Sequence, residues 1–146
     1  MIDIIALVSR WTHIAAAAVV VGGFVYGFFV VIPAMNILDE EVRGKLRREI
    51  VARLRPWALT SIVLLVLSGS YNFYRIVSAG VDTAYHMAFG IKFLLALHVF
   101  AMLFILSTPP SGDPVRDAKR PRLIMGALIS ALIILAIGAY LRTLHT

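Results

Sequence analysis

The chain has 146 residues, of which 60% are hydrophobic, and it carries a net charge of +6 with no cysteine. The mean hydropathy is +0.89, which leaves too little polar surface to clothe a water-soluble domain of this size. The absence of cysteine excludes disulfides, iron–sulfur clusters and thiolate metal sites. The length allows a single domain, residues 1–146.

The first apolar run extends from about residue 4 to residue 32 and meets Pro33. The only charge near its start is Asp3, and no basic region or small-residue cleavage site accompanies it, so Met1 is expected to open a retained helix and not a signal peptide. A basic stretch follows over residues 39–55, reading DEEVRGKLRREIVARLR, compatible with an interfacial helix. The second apolar run covers about 56–74, the third 86–106 before Pro109-Pro110, and the fourth 123–141. Each reaches the roughly 20 residues that cross a ~30 Å hydrocarbon core. The expected fold is therefore all-α, an integral membrane four-helix bundle whose first partner is the lipid bilayer.

Charge distribution gives the orientation. Residues 39–55 and 107–122 together hold ten of the fourteen Lys and Arg, whereas the 75–85 connection holds only Arg75. This is the positive-inside pattern, which assigns both basic loops to the cytoplasm and both termini to the outside, as in a multi-pass protein of a bacterial inner membrane. Because the positive residues sit in loops between spans, the basic balance does not indicate nucleic acid. Trp11, Trp57, Tyr71, Tyr74, Tyr85 and Tyr140 fall near predicted helix ends and read as interfacial anchors.

Ionisable residues inside the spans are the functional candidates, since each is costly in lipid. They are Arg10, His13, His86, Lys92 and His98, with no carboxylate among them except Asp3 at the outer edge. That excludes a carboxylate-driven carrier and Ser-His-Asp chemistry within the membrane. His145 lies past the fourth run and reads as solvated. On a helix His13 shares its face with Ser9, Ala16, Val20, Gly23 and Gly27, a small-residue face suited either to close helix packing or to a flat macrocycle. Gly23-x-x-x-Gly27 in particular suggests close packing within the bundle or in a homodimer. On the third helix Lys92 and His86 are each turned about 120° from His98, in opposite senses, so the three cannot all face one site. His98 shares its face with Met87, Ile91, Leu94, Met102 and Ile105. Ser61, Ser68, Asn72 and Arg75 form a polar stripe on the second helix, with Arg75 at its outer end. Arg75 and Arg10 suit either haem propionates or lipid headgroups.

Two membrane histidines without thiolates suit haem iron, and they suit copper with Met87 and Met102 as soft partners. The segment HIAAAAVVVGGFVY, His13 to Tyr26, resembles the first helix of HemJ-type protoporphyrinogen oxidases, and IKFLLAL, Ile91 to Leu97, resembles their Lys-containing helix. The Gly22-Gly23 pair, Ser68-Gly69 and Lys92 are likewise similar to the CopD-type membrane domain. The resemblance implies a b-type haem held by His13, with Lys92 retained. Val20 and Gly90 stand where the HemJ pattern has Trp and His, so the oxidase activity does not carry over. The sequence reading is thus a haem b membrane protein in electron transfer or small-substrate oxidation, with His13 and His98 as metal ligands and His86, Lys92, Arg75 and Arg10 as further cofactor contacts. A quinone or redox protein is the expected partner. The alternatives are a copper-handling protein and a cofactor-free structural subunit.

Overall fold

The computed structural model describes residues 3–80, 83–110 and 117–143. The described chain is helical, with no strand among the described residues. Four segments are long and apolar enough to cross a membrane: Ile4–Met35, Glu40–Ser78, Thr83–Leu106 and Arg120–Thr143. The expected all-α four-helix bundle is therefore the fold. His145 and the residues 111–116 of the second basic loop lie outside the described residues.

The first span is composite. Helix α1 runs Ile4–Tyr26, a π-helical turn covers Gly27–Val31, and α2 continues over Ile32–Met35. Asp3 starts it by accepting a hydrogen bond from the Ala6 amide at 3.1 Å, which satisfies one of the free N–H groups of the first turn. Pro33 has no N–H to give the carbonyl four residues back, and its ring crowds that carbonyl. The chain widens just before it, the Ile32 amide reaching Gly27 O, and the helix passes through Pro33 instead of ending there. The single wide turn is the usual way a helix absorbs such an interruption.

Helix α3 is Glu40–Ser78, one continuous helix of 39 residues. The basic stretch and the second span are thus a single rod, ~58 Å at 1.5 Å per residue, and its basic half extends past the ~30 Å core. Pro56 lies inside it and removes the donor for Ala52 O. Ala52 is on the exposed side of the rod, where water or headgroups can meet the freed carbonyl. Helix α4 is Thr83–Leu106, and α5 is Arg120–Thr143 with Pro121 in its first turn, where a missing N–H is harmless.

Helix α1 packs along α3, and α4 along α5, while α1 also meets α5; α3 and α4 touch less. The shared core comprises Ala16, Val20 and Phe24 of α1, Leu65 of α3, Val99 of α4 and Ala127, Leu128 and Ala131 of α5. Large apolar side chains elsewhere are exposed, among them Ile14, Val63, Leu94 and Leu135. A bundle turned outward in this way has a hydrocarbon solvent, which fits the membrane setting.

Candidate functional site

The polar stripe of α3 is answered by α1. From the Asp3 end of the bundle inward, Arg75 pairs with Asp3, Ser9 Oγ donates to Asn72 Oδ1 at 3.1 Å, and His13 Nδ1 meets Ser68 Oγ at 2.9 Å. The rungs step in opposite directions along the two helices, as antiparallel packing requires. Interhelical hydrogen bonds of this kind hold membrane helices together where apolar contacts cannot distinguish a helix from lipid.

The deepest rung also fixes the tautomer of His13. The Ser68 hydroxyl has one hydrogen, and it is directed at Leu64 O, 2.5 Å away on the same helix. At His13 the hydroxyl oxygen must then accept, so Nδ1 carries the ring proton. Nε2 then bears the lone pair of the neutral ring. This is the arrangement of metal-ligating histidines, whose second nitrogen donates to an orienting acceptor. Gly69 determines where the ring sits: a Cβ there would stand 3.2 Å from His13 Cε1, tighter than ordinary contact.

His13 lines a cavity of about 540 Å³ between the helices, and Lys92 of α4 lines it too. Gly138 of α5 lies beside the Lys92 amine, which would be 3.6 Å from a Cβ at that position, an ordinary contact. One wall is aromatic. Phe73 of α3 stacks on Phe89 of α4 with centroids 3.9 Å apart, and Tyr85 lies beyond Phe89. Tyr85 is 3% exposed, so it is a bundle residue and not the interfacial anchor its position near a helix end suggested. These three rings bridge α3 and α4 where the helices otherwise touch little, and no periodicity in the sequence singled them out.

The remaining candidates lie elsewhere. His98 is exposed beside the buried Val99, and its face-mates Met87, Ile91, Leu94 and Ile105 are exposed as well. The apolar face it shares is turned outward from the bundle. His86 is also exposed, and neither histidine lines the cavity. Lys92, turned a third of a circle away from both, is the inward one. Arg75 is engaged by Asp3 and is not in the cavity wall, and Arg10 is exposed. Outside the spans, the Asp3 carboxyl is held below the usual carboxylate range, first by the Ala6 amide and then by Arg75.

Gly23 and Gly27 do not mediate helix packing within the bundle, because a Cβ at either would meet nothing within 4 Å. They border a second, larger cavity toward the basic end. Met102 packs against the core, Met87 faces outward, and neither is in the wall of the His13 cavity. Among the described residues no three His, Cys, Asp or Glu side chains come together.

The chain is similar to the copper transport protein CutJ of Bacillus subtilis (strain 168), with 27% identity over 105 residues. The match spans 70% of this chain but only 18% of the relative's length. No family model matches the chain, and no solved structure matches it.

Proposed function

We propose that this membrane protein binds a b-type haem in the cavity between α1, α3 and α4, with His13 as an axial ligand, and works in electron transfer or the oxidation of a small substrate. The observation that carries the reading is the oriented His13: Nδ1 is engaged by Ser68, and the imidazole lines a cavity of about 540 Å³. That volume lies within the range of cofactor pockets, ~300–1,000 Å³.

The donor set fits haem better than a bare ion. One imidazole, one amine and an aromatic wall suit an apolar macrocycle with one or two axial ligands. Lys92 offers two roles there, an ammonium facing a propionate carboxylate or a free amine as second ligand. Ser68 orients the imidazole, Gly69 leaves the ring its place, and Phe73 and Phe89 exclude water. Haem bound there would supply one-electron chemistry; its direction depends on the partner, a quinone or redox protein. The resemblance of the His13 to Tyr26 and Ile91 to Leu97 segments to HemJ-type and CopD-type helices is in keeping with a role for His13 and Lys92 at this site. Arg75, already paired with Asp3, is not assigned to the propionates.

Copper handling is the second reading, and the likeness to the copper transport protein CutJ favours it. Against it, the cavity has a single imidazole and no thioether, where copper(I) prefers several soft ligands. Absorption spectra and metal quantitation on protein purified from a haem- and copper-replete host separate the two. The proposal expects a Soret band with iron near one per chain. A colourless protein carrying copper establishes the second reading instead, and a colourless metal-free protein excludes both.

The basic loops are proposed to face the cytoplasm and both termini the outside, on the strength of the ten Lys and Arg they hold.

A further inference from the structure

The second cavity, about 940 Å³, opens at the basic end of the bundle. It is independent of the His13 site, although Val20 borders both. Two kinds of wall meet in it. Val20, Phe24, Leu103 and Ile124 supply an apolar depth, and Arg43, Arg47, Arg48 and Arg120 stand at its mouth.

The arginines are not equivalent to the rest of the basic stretch. Lys45 and Arg53 point outward and pair with Glu41 at 2.6 Å and Glu49 at 2.7 Å, each four residues away. Arg120 is occupied by Asp117 at 3.4 Å and by the carbonyls of Leu106 and Thr108. Arg43 and Arg47 sit one turn apart, half-buried on the cavity side of α3, and no hydrogen bond or ion pair engages either among the described residues. Glu40 and Asp117 are the carboxylates in the wall; Asp117 is committed to Arg120, and Glu40 pairs with neither Arg43 nor Arg47. Like charges four residues apart on a helix repel, and an anion between the two would relieve that repulsion.

The glycines point the same way. Gly23 and Gly27 border this cavity, and a side chain at either would meet only open space. Gly27 opens the π-helical turn that precedes Pro33. The small-residue face of α1 therefore keeps a volume open here, beside the half-buried Arg43 and Arg47, which have no partner among the described residues.

We infer that this cavity binds an amphiphilic anion, an anionic phospholipid of the adjoining leaflet, with its phosphate on Arg43 and Arg47 and acyl chain against Val20, Phe24 and Leu103. The chemistry recognised is a phosphate group joined to an apolar body. A free phosphate shares the first part and lacks the second.

The test uses the purified full chain in detergent, delipidated and then given phosphatidylglycerol, phosphatidylcholine or inorganic phosphate. Bound lipid is read by native mass spectrometry and stability by thermal unfolding. Phosphatidylglycerol is expected to be retained and to raise the unfolding temperature, with phosphatidylcholine far weaker. A basic residue near an anionic headgroup contributes roughly a factor of five in affinity, so Arg43→Gln/Arg47→Gln should weaken binding ~30-fold. Lys45→Gln/Arg53→Gln removes the same charge from the outward face and should leave retention nearly intact. Gly23→Leu leaves the charge untouched, fills the cavity and should also abolish retention, which keeps the test decisive if the arginine variant does not fold. Equal loss in the two charge variants, equal retention of the two lipids, unchanged retention in Gly23→Leu, or full stabilisation by inorganic phosphate alone would each overturn the inference.

Discussion

Replacing Ser68 with alanine isolates the contact on which the His13 geometry depends. The serine is 6% exposed, and its hydroxyl accepts from His13 while donating to Leu64 O. Alanine has nearly the same volume, so no cavity opens, and Leu64 O keeps its helical partner at Ser68 N. The loss is confined to the interhelical bond. Such bonds between membrane helices average ~0.6 kcal/mol and reach ~1.7, and His13 Nδ1–H would be left without its nearest acceptor. A destabilisation of about 1 kcal/mol is expected. If His13 holds haem iron, loss of the orienting partner should also weaken haem binding 10- to 100-fold. The assay is a double-mutant cycle of Ser68→Ala and His13→Ala, read by equilibrium unfolding in detergent, with haem affinity of the single variants measured alongside. A coupling of about 1 kcal/mol supports the rung. Coupling indistinguishable from zero, with haem affinity unchanged in Ser68→Ala, would refute it.

Other outcomes follow from the same contacts. Gly69→Ala puts a Cβ 3.2 Å from His13 Cε1 and should shift the haem spectrum by moving the ring, whereas Gly69→Val should abolish the Soret band; an unchanged spectrum in both would show that the ring is not confined there. Asp3 should titrate below the ordinary carboxylate value of ~3.9, because the Ala6 amide and Arg75 both favour its charged form. A depressed folded-state value means that its contribution to stability is complete above ~3.9 and disappears as pH falls through the folded value. In Arg75→Gln the Asp3 titration, followed by NMR, should move up but remain depressed through the Ala6 amide; no movement would sever the link to Arg75. Single cysteines at Lys45 and Lys119 of this cysteine-free chain should react with an impermeant thiol reagent from the same side, and in intact cells not from outside; labelling from outside would invert the proposed orientation.

The four spans were legible because apolar runs of about 20 residues leave few alternatives in water. Their ends were not. Proline normally closes a helix, yet Pro33 is carried through by a π-helical turn and Pro56 by an exposed carbonyl, and neither compensation has a sequence mark. The polar stripe of Ser68, Asn72 and Arg75 was visible, but not its partners, since pairing depends on which helix faces it. The same ignorance applies to the direction in which His98 faces. In a soluble helix an apolar face points to the core, whereas in a membrane it points equally to neighbours or to lipid. His98 therefore appeared well placed on a face that is turned outward, and Lys92, the costly residue to leave in hydrocarbon, was ranked behind it.

The central claim is that His13, and not His98, holds the prosthetic group. Its most direct test compares the reduced and oxidised spectra of the wild type with His13→Ala and His98→Ala, all purified from a haem-replete host. The account predicts that His13→Ala loses the Soret band while His98→Ala matches the wild type. A band that survives in His13→Ala, or that disappears only in His98→Ala, would contradict it.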